Sequence, residues 1–86
     1  MKDGFQVEVP NRVRKEMRDL PDEILLRILS ELITLQSNPL PLGTKKLQNR
    51  SEYRIRVGDY RILYEINFKD KMIEIVAVLH RRSAYQ

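Results

Sequence analysis

At 86 residues the chain is long enough for one small domain, residues 1–86, with little margin beyond its own core. A hydrophobic content of 42% argues against a disordered chain, and the absence of cysteine excludes a disulfide framework, a thiolate zinc site and a thiol nucleophile. The formal charge of +4 is unevenly spread: residues 1–43 carry six Lys/Arg against seven Asp/Glu, residues 44–86 ten against five. A basic second half points to a polyanionic partner, most simply nucleic acid, with solubility as the bland alternative. No apolar run approaches the ~18 residues of a membrane span, and the opening MKDGFQVEV lacks a signal-peptide core. The expectation is a soluble cytoplasmic protein with no membrane partner.

In chain order, Phe5-Gln6-Val7-Glu8-Val9 alternates apolar and polar, as a short strand does, and Pro10 ends it. Asn11 is placed to cap a helix whose Val13, Met17 and Leu20 share one stripe. Pro21 opens a second helix, with Asp22 and Glu23 beside the positive end of its dipole. Ile24, Leu25, Ile28, Leu29, Leu32, Ile33 and Leu35 give that helix a wide apolar face, and it stops before Asn38-Pro39. The two helices are expected to form an antiparallel pair. A Pro/Gly-rich connection, Asn38 to Leu47, follows. Beyond it the period changes to two: Tyr53, Ile55 and Val57 alternate with Arg54 and Arg56. Gly58-Asp59 reads as a type II′ hairpin loop, then come a strand from Tyr60 to Phe68, a Lys69-Asp70 loop, and a last strand from Lys71 to His80. The order βααβββ predicts an α+β domain, a two-helix hairpin on one face of a mostly antiparallel twisted sheet.

Register decides which side chains meet. A two-residue loop at Gly58-Asp59 sets Ile55 opposite Ile62 and Tyr53 opposite Tyr64 under the helices. It also sets Arg56 opposite Arg61 on the bare face, with Arg54 one pair further, opposite Leu63. Like charges directly opposite cost a few tenths to ~1 kcal/mol. The bland alternative fans these arginines into solvent, with Arg54 reaching Glu65 diagonally. A two-residue Lys69-Asp70 loop sets Ile62 opposite Ala77, Tyr64 opposite Ile75, Glu65 opposite Glu74 and Val78 opposite Arg61. His80 then stands diagonal to Arg61 on the bare face, and Arg81, Arg82 and Tyr85 follow as the wall of a basic cleft.

The acids are scattered and there is one histidine, so neither a metal site nor a carboxylate pair is expected, and no cofactor. The serines lack a nucleophile elbow and no Gly-rich phosphate loop is present. Arg, Lys, His and Tyr remain. They suit a phosphodiester and the charge that builds on it during transfer. RNA cleavage by its own 2′-OH needs a base, an acid and cations on the phosphate; a non-catalytic nucleic-acid binder would use the same residues.

Lys46-Leu47, the run YRIRVGDYRILYEI from Tyr53 to Ile66, and Val78-Leu79-His80-Arg81-Arg82…Tyr85 resemble the RelE/ParE toxin superfamily, in its RelE-type branch. The resemblance runs from the first strand to Tyr85. It implies the toxin of a type II toxin–antitoxin pair, a ribosome-dependent endonuclease that cuts mRNA in the ribosomal A site without a metal, and that forms a hetero-oligomer with its antitoxin. By position it implies substrate contacts from Arg54 and Arg56, phosphate stabilisation by Arg61 and Arg81, and a catalytic Tyr85. Lys45, Lys46 and Arg82 would extend the basic surface towards ribosomal RNA. RelE has lysines where Arg54 and Arg56 stand, and arginine does not act as a base. The general base is therefore Tyr85 or His80. A ParE-like inhibitor of DNA gyrase that cuts nothing is the second reading.

Overall fold

The computed structural model describes residues 4–82. Strand β1 (Gln6–Glu8) is followed by helices α1 (Asn11–Arg18) and α2 (Asp22–Ser37) and by strands β2 (Lys45–Lys46), β3 (Tyr53–Val57), β4 (Tyr60–Asn67) and β5 (Met72–His80). The five strands form one sheet in the order β1-β5-β4-β3-β2. β1 runs parallel to β5, and the other neighbours are antiparallel. The expected α+β architecture is present. Two features go beyond it: β1 joins the far edge of the sheet, and Lys45-Lys46 adds a short strand inside the Pro/Gly-rich connection.

Each helix buries one stripe. α1 inserts Val13 and Met17, four residues apart, and turns its arginines outward. Its last turn carries Lys15 and Arg18, favourable at the negative end of the dipole. Pro10, not Asn11, is the N-cap, and no side chain caps this end; Asn11 is already helical. α2 buries Ile28, Leu32 and Leu35. Its apolar face is wider than the sheet can cover, so Leu26, Leu29 and Ile33 stay 68%, 41% and 66% exposed. Asn38 is extended, as a residue before proline prefers, and its Oδ1 accepts a hydrogen bond from Leu40 N–H (3.1 Å).

The core joins those helix residues to Ile55, Val57, Ile62, Tyr64, Ile73, Ile75 and Val78. Gly58 has φ +60° at the tip of the β3–β4 hairpin while Asp59 stays at negative φ, the type II′ pattern. The β3–β4 register is as expected, with Arg56 opposite Arg61, Ile55 opposite Ile62 and Tyr53 opposite Tyr64.

The β4–β5 register is as expected only in its first half. Asn67 Oδ1 accepts from Asp70 N–H (3.0 Å) in a four-residue loop, Phe68 to Lys71, that keeps Glu65 opposite Glu74 and Tyr64 opposite Ile75. The pairing then jumps, so that Leu63 faces Ala77, Ile62 faces Val78, Arg61 faces Leu79 and Tyr60 faces His80. Val76 is the extra residue of a β-bulge. A bulge leaves a residue without its ladder partner. Here the Val76 carbonyl accepts from Arg12 Nη1 at 2.8 Å, which ties the start of α1 to the bulge. Beyond Val76 every side chain of β5 changes face relative to an unbroken register: Val78 enters the core, and Ala77 and Leu79 leave it.

Candidate nucleic-acid interface

The face of the sheet turned away from the helices is ordered by charge. Cross-strand partners share a face. Nearest the β3–β4 turn they make the row Arg56–Arg61–Leu79, and next to it Lys45–Arg54–Leu63–Ala77. The following row is acidic, with Glu65 beside Glu74 and Glu74 beside Glu8. Cations thus occupy one end of this face, carboxylates the other, and aliphatic side chains the step between.

Gly43, Lys45, Arg54, Arg56 and Arg61 line a pocket of about 130 Å³ at the basic end. Lys45 and Arg56 are exposed, Arg54 is half-buried, and Arg61 is only 9% exposed. Arg54 has no hydrogen bond or ion pair to Glu65, whose carboxylate instead accepts from the Ser51 hydroxyl at 2.9 Å. Arg54 is therefore not neutralised diagonally by Glu65. A larger groove, about 570 Å³, lies at the acidic end between Glu8, Glu65, Asn67, Met72 and Glu74. Size does not identify the site here, because its three carboxylates would repel a phosphate while the smaller pocket gathers four cations.

The loop carrying Gly43 is anchored from below. Tyr64 is fully buried, stacks on Tyr53 with ring centroids 5.9 Å apart, and donates its hydroxyl proton to the Pro39 carbonyl at 2.8 Å. The Thr44 hydroxyl lies 3.4 Å from the Tyr64 hydroxyl oxygen. Burial pushes the Tyr64 phenol above its ordinary value, with the Thr44 contact opposing it in part. A core side chain so fixes the segment that enters β2 and presents Lys45.

Four of the expected residues, Lys45, Arg54, Arg56 and Arg61, meet in the pocket. Four others, Lys46, Arg81, Arg82 and His80, do not. Lys46 is opposite Tyr53 and so points to the helix side of the sheet edge. Arg81 sits at the hairpin tip, where its N–H donates to the Asp59 carbonyl (2.7 Å) and its Nε lies 4.0 Å from the Asp59 carboxylate, an exposed pair worth little. Arg82 is exposed beside it.

His80 requires a correction. The unbroken register set it beside the arginines on the bare face. The bulge at Val76 sets it opposite Tyr60, on the helix side, with the two rings edge to face at 5.1 Å. Tyr85 lies outside the described residues. Gly43 as a pocket wall, and the aliphatic step of Leu63, Ala77 and Leu79, were not foreseen; only the true register reveals the second.

Fold and site together define a small α+β domain with a cationic pocket on a bare sheet face. Residues 7–85 match the family described as the ParE toxin of type II toxin–antitoxin systems. A candidate toxin of Methanocaldococcus jannaschii, RelE1, is 35% identical over 86 residues, covering 95% of this chain and 96% of the relative. The RelE chain in the RelE–RelB complex of Pyrococcus horikoshii superposes with a TM-score of 0.82 at 32% identity, covering 90% of this chain and 94% of that one. The toxin–antitoxin complex RelBE2 of Mycobacterium tuberculosis contains a chain with a TM-score of 0.80 at 27% identity, with 91% and 99% covered. The chain belongs to the RelE/ParE superfamily and is a toxin of the type II toxin–antitoxin class.

Proposed function

We propose that this toxin is a RelE-type endonuclease that cuts mRNA in the ribosomal A site and so arrests translation in the cytoplasm. The observation that carries the reading is the convergence of Lys45, Arg54, Arg56 and Arg61 on one pocket. Four cations in that volume suit the phosphates flanking a scissile bond, and Arg61, buried at the centre of the sheet, is held in place by its strand. In the proposed step the RNA's own 2′-oxygen attacks the adjacent phosphorus while a base takes its proton. The bond to the 5′-oxygen breaks, and that oxygen takes up a proton. Arg61 and Arg81 stabilise the charge on the phosphorane, and Tyr85 is the candidate base.

The partner is an antitoxin protein, in keeping with the toxin–antitoxin complexes formed by the relatives. Two surfaces of this chain support such a partner: the basic pocket, which an acidic segment would neutralise, and the uncovered aliphatic strip Leu26, Leu29 and Ile33.

Controlled expression of the full chain tests the reading, with transcript ends mapped and plasmid supercoiling assayed in the same cells. Cuts within codons, with 2′,3′-cyclic phosphate and 5′-hydroxyl ends, are expected, and supercoiling should not change. Arg61→Ala should lower cleavage by ~10²–10³ while the protein stays folded and keeps its antitoxin. Uncut transcripts with altered supercoiling would transfer the protein to the gyrase-inhibiting reading, and 5′-phosphate ends would refute the 2′-OH mechanism.

A further inference from the structure

His80 is an imidazole near the proposed site that does not line its pocket. It stands on the helix side of β5, edge-on to Tyr60, and its Nδ1 lies 3.2 Å from the backbone nitrogen of Arg82. A backbone amide can only donate, so Nδ1 is the acceptor and carries no proton. The imidazole is then the neutral tautomer protonated at Nε2. The preceding amide is held as well, since Arg81 N–H donates to the Asp59 carbonyl at 2.7 Å. Two successive amides beyond β5 are thus clamped, one by the hairpin tip and one by His80. Between them stands Arg81, with its guanidinium beside Asp59, the turn residue two positions before Arg61 in sequence.

We infer that His80 is a positioning residue: its neutral imidazole accepts the Arg82 amide and fixes the turn that presents Arg81 at the hairpin tip. It does not carry the proton of the substrate. A base needs to come within about 3 Å of the oxygen it deprotonates. A ring on the helix side of the sheet, packed on Tyr60, does not reach an oxygen bound over the arginines of the opposite face. The inference rests on the endonuclease reading for its effect on cleavage, but not for its effect on the turn.

Two substitutions separate the ring from the acceptor. His80→Asn keeps an acceptor oxygen close to the place of Nδ1 and discards the ring. His80→Phe keeps the ring against Tyr60 and discards the acceptor. In the full chain at near-neutral pH, nitrogen chemical shifts of the wild-type imidazole should show Nδ1 unprotonated. Hydrogen exchange of the Arg82 amide should quicken roughly 2- to 10-fold in His80→Phe, the worth of one net hydrogen bond, and stay close to wild type in His80→Asn. Cleavage should follow the same order, with Asn close to wild type and Phe lower by a similar factor. A proton carrier would behave differently, losing ~10²–10⁴ in both variants. Such a loss in His80→Asn, an Nδ1–H tautomer, or unchanged Arg82 exchange in His80→Phe would each overturn the inference. The shift and exchange measurements involve no RNA. If Arg61→Ala left toxicity intact, the endonuclease reading would fail while they still decided the role of His80.

Discussion

Replacing Tyr64 by phenylalanine removes one oxygen from the largest fully buried side chain and leaves its ring in place. The ring keeps its stack on Tyr53, so the apolar core is unchanged. What is lost is the 2.8 Å hydrogen bond to the Pro39 carbonyl and the contact with the Thr44 hydroxyl. A net hydrogen bond is worth about 1 kcal/mol, and a part-buried carbonyl left without its donor adds to that, so the expected loss is about 1–2 kcal/mol. For a domain of this size each kcal/mol lowers Tm by roughly 4–8 °C. Urea unfolding should show a lower midpoint with an unchanged slope, since the same surface is exposed. The loss should concentrate in the loop before β2: the Thr44 amide, which donates to the Pro41 carbonyl at 3.1 Å, should exchange faster. pH gives a second signature. The folded phenol titrates above its ordinary value, so its contribution is fully present below the unfolded value near ~10 and is lost as pH rises through the folded one. The stability gap between wild type and Tyr64→Phe should therefore shrink in alkali. An unchanged Tm together with unchanged Thr44 exchange would refute the claim that this hydroxyl anchors the loop. Tyr64→Ala is less informative, since a cavity costing about 3–5 kcal/mol is a large share of the roughly 5–15 kcal/mol that holds a domain together.

Gly58→Ala should cost about 1–2 kcal/mol, read as a fall in Tm, because φ is +60° and a Cβ would come within 3.2 Å of Arg27 Nη1, a flexible group that can move aside. Binding of a single-stranded RNA should weaken with salt, and Arg54→Ala and Arg56→Ala should each reduce the slope of log K against log salt by about 0.7. Slopes equal to wild type would remove both residues from the phosphate path.

How much of this was legible in the sequence depends on how tightly each segment specifies its register. Between Tyr53 and Ile62 polar and apolar residues alternate and a glycine fixes a two-residue loop, so one pairing sets Tyr53, Ile55, Val57, Ile62 and Tyr64 on the core face, leaves Leu63 outside, and the Arg56–Arg61 contact follows. The helices were legible for the same reason, although the stripe of α2 gave no sign that Leu29 and Ile33 would stay outside. β5 is different. From Val76 to Leu79 every residue is apolar, so alternation ends and a slip of one position leaves an apolar residue facing the core either way. The choice is then made by contacts distant in sequence, such as the Arg12 guanidinium on the Val76 carbonyl, 64 positions away.

That single slip bears on the chemistry. In an unbroken register the bare face beside Arg61 holds a histidine, and a proton carrier and a phosphate clamp sit together. With the bulge, Leu79 stands beside Arg61, and the cationic rows border an aliphatic step before the carboxylates begin. The face then has a direction: a phosphate is drawn to the Arg56–Arg61 end and repelled from the Glu65–Glu74–Glu8 row. Each of the three cations gathered on β3 and β4 is an arginine, which holds charge and does not exchange a proton at physiological pH. Together with the displacement of His80, this leaves the arginines of the pocket able to bind and stabilise a phosphate but not to take up a proton. The proposed reaction therefore needs a proton carrier other than these arginines and His80, and that is the role proposed for Tyr85.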